Sequence, residues 1–411
     1  MIPRRLPPVS SPLGVRALGG ALLRAPRGGK SARAAVATTL RERFDARRVV
    51  LTDSGTAALG LAMRAAAGRG SVAIPAYGCP DLLAAAAWAG VRVRLYDLDV
   101  ATLAPRLDSV ARALEAGSTA LVVTHLFGLA VDLAPVRALC EPRGVVVIED
   151  AAQGAGGTLR GAPLGAHGAL SVLSFGRGKG LTAGRGGALL VRDERFDAAI
   201  DAAVSSLGAS GSGARDFAVA SAQMLLGGPA LFAIPSAVPG LRLGEMIYHE
   251  LDAPRAMAHL PAMLLVQTLR DAAPELRTRR ANAERLRTAA AAAGIRTPIP
   301  CEGSEPGFLR FPILLSADTA PVPALGIVRP YPRSLATFDV CRTLRDDADA
   351  PMPDASLLAA ELFTLPTHGR LAAADVERLA QWLRSRSVQS HAGRGVADGS
   401  PVPARTPFES R

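Results

Sequence analysis

The chain has 411 residues, of which 49% are hydrophobic and 4% aromatic, and its formal net charge at pH 7 is +11. This length allows one large and one smaller domain, each with its own core. The basic clusters lack interleaved aromatic residues, which argues against a nucleic-acid partner. The four cysteines are far apart and show no CxxC spacing, which argues against a metal site or a disulfide framework and favours a reducing cytoplasm.

From residue 48 to residue 191, short apolar runs typical of buried strands alternate with alanine-rich patterns typical of helices. The predicted strands are 48–52, 71–74, 91–95, 120–124, 144–148, 169–173 and 188–191, and the predicted helices between them include 56–67, 80–89 and 107–116. Such alternation predicts a largely parallel sheet covered by helices on both faces. We therefore expect an N-terminal arm at 1–35 and a large α/β domain at 36–245.

The segment 217–241 of this large domain, FAVASAQMLLGGPALFAIPSAVPGL, contains no charged residue. Its length would in principle cross a bilayer, but three prolines and a Gly-Gly pair interrupt it. We expect an apolar insertion that forms a buried or interfacial helical hairpin. Peripheral membrane contact is the alternative, and a true span is not expected.

The pattern changes after this insertion. Helical patterns at 260–293 and 371–386 flank strand-like runs at 308–315 and 326–330, which predicts a smaller α+β domain over residues 246–388. The last stretch, 389–411, is rich in Gly, Ser and Pro and is predicted to be disordered.

Lysine is almost absent from the chain, since Lys30 and Lys179 are the only two among 47 basic residues. Lys179 lies in the glycine-rich run SFGRGKGLTAGRGG, and its amine, unlike a guanidinium, can form a Schiff base with a carbonyl. A phosphate-binding P-loop does not fit, because Gly180 follows the lysine and Leu173 occupies the place of the required earlier glycine.

Three predicted strand ends carry groups that suit a ligand, and open α/β sheets bind ligands beyond the carboxyl ends of their strands. The Ser-Gly-Thr turn of DSGTAAL (53–59) opens a helix and could attract an anion, or Ser54 could be only an N-cap. Asp150 in IEDAAQ ends an apolar strand, where it could pair with a protonated pyridine nitrogen or cap the next helix. Ser174 and Lys179 follow the sixth strand. Together these groups predict a site for pyridoxal 5′-phosphate (PLP).

The order of these motifs resembles the DegT/StrS family of PLP-dependent sugar aminotransferases. The matching stretches are SGTAAL, PAY (75–77), HLFG (125–128), IEDAAQ, SFGRGKGLTAGRGGAL and LFTLPTH (362–368). The resemblance implies fold type I, with a mostly parallel central sheet between helices and a smaller C-terminal α+β domain. It also implies a homodimer that transfers an amino group, usually from glutamate, to a nucleotide-linked keto-sugar in glycan or secondary-metabolite biosynthesis.

The resemblance also assigns roles residue by residue. Lys179 would hold PLP as a Schiff base and then move a proton between substrate and cofactor. Asp150 would pair with the pyridinium nitrogen, and Gln153 would contact the 3-oxygen of the ring. The residues expected to bind the phosphate are Gly55, Thr56 and Ser174. The candidate substrate contacts, each of which could instead be a packed or capping residue, are His125, Tyr331 and His368.

Three departures from the family pattern are visible. Cys79 stands where many members carry an aromatic residue against the cofactor ring, Arg185 replaces a glutamate, and the family's NYR stretch is missing around 241–248. The altered stretch around 241–248 and the apolar segment 217–241 raise an alternative function, a PLP-binding homologue without transfer activity that acts as a regulator or partner of a membrane-associated glycan-assembly system. Lys179 and Asp150 favour the transaminase, because a purely structural role would require neither.

Overall fold

A computed structural model of the chain describes residues 4–24, 29–238, 246–345 and 351–386. The predicted tail at 389–411 and most of 241–248 lie outside these residues. The strands are β1 (Arg48–Thr52), β2 (Ser71–Pro75), β3 (Arg92–Tyr96), β4 (Ser118–Thr124), β5 (Val146–Asp150), β6 (Thr158–Leu159), β7 (Ala162–Pro163), β8 (Leu170–Ser174), β9 (Gly187–Val191), β10 (Ser304–Glu305), β11 (Phe311–Leu314) and β12 (Leu362–Leu365). The helices are α1 (Val15–Arg24), α2 (Gly29–Arg43), α3 (Gly55–Ala67), α4 (Asp81–Ala89), α5 (Leu107–Glu115), α6 (Ala134–Cys140), α7 (Asp197–Val204), α8 (Ala214–Leu226), α9 (Ala233–Ser236), α10 (His259–Arg270), α11 (Ala272–Ala292), α12 (Asp339–Leu344), α13 (Pro353–Glu361) and α14 (Ala373–Arg384).

The central sheet has seven strands in the order β1-β9-β8-β5-β4-β2-β3. β9 pairs antiparallel with β1 and β8, and all other neighbouring strands pair parallel, so β9 alone is reversed. Every residue of β2, β5 and β9 is buried, which is the pattern expected when helices cover both faces of a sheet. The predicted α/β fold with a mostly parallel sheet is confirmed.

Close helix packing depends on small residues in α3. A Cβ atom added at Gly60 would lie 2.6 Å from the ring of Trp88 in α4, so only glycine lets the two helices approach this closely. Ser54 caps α3 by accepting a hydrogen bond from the Ala57 amide at 3.1 Å. The cap fixes the first turn of α3 directly beyond β1, at the edge of the sheet where the candidate site lies.

The C-terminal part of the chain contains the antiparallel pair β11 and β12, packed against α11 and α14. The predicted strand at 326–330 is wrong, because these residues contribute only two isolated bridges, Ile327 with Val322 and Val328 with Thr364. Pro330 has no amide hydrogen to continue a ladder, and Gly326, with φ of +68°, turns the chain just before it. The partner of β11 is the LFTL stretch of the predicted LFTLPTH motif.

The predicted helical stretch 260–293 is two helices, α10 and α11, which meet at Asp271. Pro274 lies in the first turn of α11, where a missing amide hydrogen costs nothing, whereas it would break a continuous helix. The division of the chain into domains at 35, 245 and 388 stays a prediction.

The apolar segment forms α8 and the short α9 on the surface. Phe217 and Ala220 are the buried positions of α8, while Leu225 is 62% exposed. The described part of the segment is therefore helical as predicted and lies at the surface, so the buried alternative is wrong, and the interfacial one stays a prediction. Across the described ranges, no helix is both long enough and apolar enough to cross a membrane.

Candidate active site

The first turn of α3 and the end of β8 form a small cradle. A Cβ atom added at Gly55 would lie 2.6 Å from the Cβ of Ser174, so the two residues are in direct contact. The hydroxyls of Thr56 and Ser174 make no hydrogen bond to any other residue within the described ranges. A helix N-terminus with two unpaired hydroxyls attracts an anion such as a phosphate.

Lys179 lies in the loop that joins β8 to β9. The Phe175 carbonyl accepts hydrogen bonds from the Ala183 amide at 2.9 Å and from the Thr182 hydroxyl at 3.2 Å, which closes the loop on itself. The Gly178 amide donates to the hydroxyl of Ser11 at 3.0 Å, so the N-terminal arm holds the loop from outside. Lys179 is half-buried, and its amine has no hydrogen bond or ion pair within the part of the chain that the structure describes.

Asp150, the last residue of β5, is a buried carboxylate at the same edge. It is 7% exposed and accepts hydrogen bonds from the Ala152 amide at 3.0 Å and the Thr124 hydroxyl at 3.2 Å. Burial raises the pKa of Asp150, while the Ala152 amide, the positive charge of Lys179 and the Thr124 hydroxyl oppose that rise. A cation placed against this carboxylate would therefore favour its ionised form.

Gln153 links this edge to an aromatic cluster of Tyr77, Phe127 and Tyr331. Its side-chain amide donates to the Tyr331 hydroxyl at 2.8 Å and accepts from the Phe127 amide at 3.1 Å. The Tyr331 ring lies 5.4 Å from the Tyr77 ring in edge-to-face geometry and 6.0 Å from the Phe127 ring in stacked geometry. Burial raises the pKa of both phenols, so they stay protonated.

Phe127 adopts a left-handed backbone conformation, with φ of +58°. This conformation is costly for an aromatic residue and persists only where the surroundings fix it, as happens at binding sites. In this conformation the Phe127 amide donates to the Gln153 side chain and the Phe127 ring stacks on Tyr331.

The family model of the DegT/DnrJ/EryC1/StrS aminotransferases matches residues 29–384. The chain belongs to this family. An L-glutamine:2-deoxy-scyllo-inosose aminotransferase from Streptoalloteichus tenebrarius is 30% identical over 253 residues, which cover 61% of this chain and 54% of that protein. A dTDP-4-dehydro-2,3,6-trideoxy-D-glucose 4-aminotransferase from Saccharopolyspora spinosa is 33% identical over 151 residues, or 36% of this chain and 39% of that protein.

The DegT/DnrJ/EryC1/StrS fold extends over nearly the whole chain. Spr1654 from Streptococcus pneumoniae, described as a sugar aminotransferase and solved in PLP form, superposes with a TM-score of 0.72 at 16% identity, covering 94% of this chain and 99% of that one. By contrast, the chain spans about half the length of the first curated relative that it matches. The structural likeness confirms the fold type that the motifs imply.

PLP, the cofactor of this aminotransferase family, fits the residues present. The cradle of Gly55, Thr56 and Ser174 suits a phosphate, the buried carboxylate of Asp150 suits a protonated ring nitrogen, and the unpaired amine of Lys179 suits an aldehyde. Spr1654 has been solved in both the PLP form and the amine (PMP) form of the cofactor.

The structure does not place His125 where substrate can reach it. The ring is fully buried, its Nδ1 accepts a hydrogen bond from the Val131 amide at 3.1 Å, and its Nε2 contacts the Glu149 carboxylate at 3.0 Å. Because Nδ1 accepts from the Val131 amide, Nε2 is the ring nitrogen that donates to Glu149. His125 supports the sheet behind Asp150, which corrects the expectation of a substrate contact.

His368 is also buried, with 2% exposure, and its Nε2 donates to the Pro7 carbonyl at 2.9 Å. Burial lowers the pKa of this imidazole to about 4, so it stays neutral. It fastens the N-terminal arm to the C-terminal part of the chain and is not open to substrate. Of the three candidate contacts, Tyr331 alone lies in the cluster beside Gln153.

The surroundings of two charged residues, Arg185 and Arg310, become clear only from the fold. Arg185 donates to the Asp53 carbonyl at 3.1 Å and contacts the Asp53 carboxylate at 3.2 Å, which fastens the Lys179 loop to the end of β1. Arg310, which no sequence motif marks, interacts electrostatically with Tyr77, Tyr331 and Cys79. Its only signal in the sequence is a single charge inside the apolar run 308–315.

Proposed function

We propose that this protein is a PLP-dependent transaminase that moves an amino group from an amino acid to a keto-sugar or a related cyclic ketone. The observation that carries the proposal is the unpaired Lys179 amine, held at the same sheet edge as the Asp150 carboxylate and the cradle of Gly55 and Ser174. No packing or solubility role requires this combination.

Each residue of the candidate site would have a separate role in the proposed reaction. PLP, when bound, supplies an electron sink that stabilises negative charge at the carbon bearing the amino group. Asp150 would keep the ring nitrogen protonated, and Lys179 would move the proton at the reacting carbon. The α3 N-terminus and Ser174 would hold the phosphate, while Gln153, fixed by Tyr331 and Phe127, would contact the 3-oxygen of the ring.

The substrate class is supported by the named activities of the relatives, which act on a keto-cyclitol in one case and a dTDP-linked keto-sugar in the other. Because the matched regions cover 54% and 39% of those proteins, the ketone and the amino donor are proposals for this chain. We propose glutamine or glutamate as the donor, and secondary-metabolite or glycan synthesis as the setting, with a nucleotide-linked sugar as the first ketone to test.

We also propose that the protein works as a homodimer in the cytoplasm. Val15 and Leu23 of α1 and Leu225 of α8 are 73%, 85% and 62% exposed, and a second copy rather than a membrane surface is the partner that we propose for these apolar side chains. All four cysteines are free thiols, which suits a reducing compartment. Light scattering of the purified protein measures the oligomeric state.

The test is the absorption spectrum of the protein with PLP, before and after L-glutamine or L-glutamate. We expect a yellow band that bleaches with the donor and returns when a keto-sugar is added. Lys179→Ala should abolish the band, whereas Lys30→Ala, which removes the chain's other lysine, should leave it unchanged. A lysine-dependent band that no amino acid bleaches would instead favour the homologue without transfer activity.

A further inference from the structure

Arg310 immediately precedes β11 and is half-buried beside the aromatic cluster of Tyr77, Phe127 and Tyr331. Its guanidinium makes no hydrogen bond or ion pair with any residue in the ranges that the structure describes. The fully buried arginine of the described ranges differs in this respect. Arg279 has a side chain that is 3% exposed and forms an ion pair with Glu275 at 2.8 Å.

The backbone around Arg310 is fixed against the candidate active site. The Gly307 amide donates to the Gly128 carbonyl at 2.9 Å, next to Phe127, and a Cβ atom added at Gly128 would lie 2.9 Å from the Phe308 amide. The Thr367 hydroxyl donates to the Phe308 carbonyl at 2.7 Å. The backbone just before Arg310 is therefore fixed beside Phe127 and Gly128.

The residues that interact electrostatically with Arg310 indicate where its guanidinium lies. Its positive charge opposes the rise in the pKa of the Tyr77 and Tyr331 phenols, and the Cys79 thiol lies within its range. Lys179 acts on the same thiol. Arg310 thus shares a neighbour with Lys179, and Arg177, two residues before that lysine, adds a second positive charge near Arg310.

Keeping an unpaired guanidinium partly out of water costs free energy, and burial accordingly lowers the pKa of Arg310. A fold tolerates this cost at a position where a ligand supplies the missing anion. The planar guanidinium matches the two oxygens of a carboxylate with two parallel hydrogen bonds.

We propose that Arg310 binds the carboxylate of the amino donor and so orients the donor's amino group toward Lys179. The inference rests on the proposed transaminase function and deepens it by naming the donor-recognition residue. In an α-amino acid the carboxylate is one bond away from the carbon that bears the amino group, so its binding site has to lie near the lysine and apart from the phosphate cradle.

The experiment compares wild type, Arg310→Met and Arg310→Lys, each loaded with PLP. Calorimetry measures binding of glutaramate, which is glutamine without its amino group and so reports carboxylate binding without turnover. Bleaching of the yellow band by L-glutamine is then compared with bleaching by 4-aminobutanamide, which is glutamine without its carboxylate. Arg342→Met removes an arginine whose side chain is 71% exposed and is the matched control.

We expect Arg310→Met to weaken glutaramate binding and the apparent affinity for L-glutamine by about 10- to 100-fold, with 4-aminobutanamide unaffected and Arg310→Lys intermediate. Urea unfolding of Arg310→Met should occur at the same or a higher midpoint than in wild type, because an unpaired charge has been removed. A packing role would instead lower that midpoint.

Unchanged glutaramate affinity in Arg310→Met, or absence of glutaramate binding to wild type, would overturn the proposal. Equal losses with L-glutamine and 4-aminobutanamide would also overturn it, since the effect would then not depend on the carboxylate. If wild type forms the lysine-dependent band but no donor bleaches it, the proposed function fails. Selective loss of glutaramate binding in Arg310→Met would still support a carboxylate site in that case.

Discussion

Glu149 offers the most direct test of how the fold supports the candidate site. It precedes Asp150 in β5 and is fully buried. Its carboxylate accepts five hydrogen bonds, whose donors are the His125 ring, the amides of Gly165, His167 and Gly168, and the Ser171 hydroxyl, at distances of 2.6 to 3.0 Å. These donors outweigh burial and hold the pKa of Glu149 at about 2.

The change Glu149→Gln keeps the shape but removes the charge and replaces one acceptor oxygen with an NH₂ donor. A fall in the carboxyl pKa from 4.5 to about 2 corresponds to about 3 kcal/mol of stability at neutral pH. We therefore expect Glu149→Gln to lower the free energy of unfolding by about 3 kcal/mol or more, since the new amide faces backbone donors. The exposed Glu115→Gln is the matched control and should change it by less than about 0.5 kcal/mol.

The assay is urea unfolding at several pH values. Because the folded pKa of Glu149 lies below its unfolded value, its contribution is complete above about pH 4.5 and is lost as the pH falls toward about 2. The difference between wild type and Glu149→Gln should therefore be constant from pH 7 to about 5 and narrow below that. If the free energies of unfolding of wild type and Glu149→Gln differed by less than about 1 kcal/mol at pH 7, Glu149 would not be an ionised carboxylate that stabilises the fold through its five hydrogen bonds.

Three further changes test the site and its supports. Gly55→Ala would place a methyl group 2.6 Å from the Cβ of Ser174, so we expect the affinity for PLP, measured from the yellow band, to fall about 10-fold or more. The control Gly19→Ala should have no effect, because a methyl group at Gly19 would have no atom within 4 Å. Asp150→Asn cannot carry the charge that pairs with a protonated ring nitrogen, and stopped-flow bleaching by the donor should slow about 100-fold or more, while unchanged bleaching would contradict its assignment. The buried His368 ring has a pKa of about 4, whereas an ordinary histidine has a pKa of 6.5, so the unfolded chain binds more protons than the folded chain between these pH values. The free energy of unfolding therefore falls as the pH drops from 6.5 to about 4, and His368→Gln should make this fall, measured by urea midpoints, less steep. An unchanged pH dependence would contradict a buried neutral ring.

The seven strands of the central sheet, and the strand ends that carry the candidate site, could be predicted from local patterns in the chain. The seven strands were predictable because buried parallel strands are short and apolar, and their carboxyl ends meet at one edge of the sheet. Lys179, Asp150 and Ser174 could therefore be grouped without any contact being known. The scarcity of lysine in an arginine-rich chain singled out Lys179 before any motif was considered.

Local patterns could not tell which polar residues face the candidate site and which support it from behind. His125 and Tyr331 were equal candidates in the sequence, but packing buries His125 against Glu149 and sets Tyr331 against Gln153. Arg310 had no recognisable motif, because its position depends on contacts between segments about 180 residues apart in the chain, such as the hydrogen bond from Gly307 to Gly128. Local patterns report which face of an element is buried, whereas the partner of each polar group is fixed only when distant segments pack together.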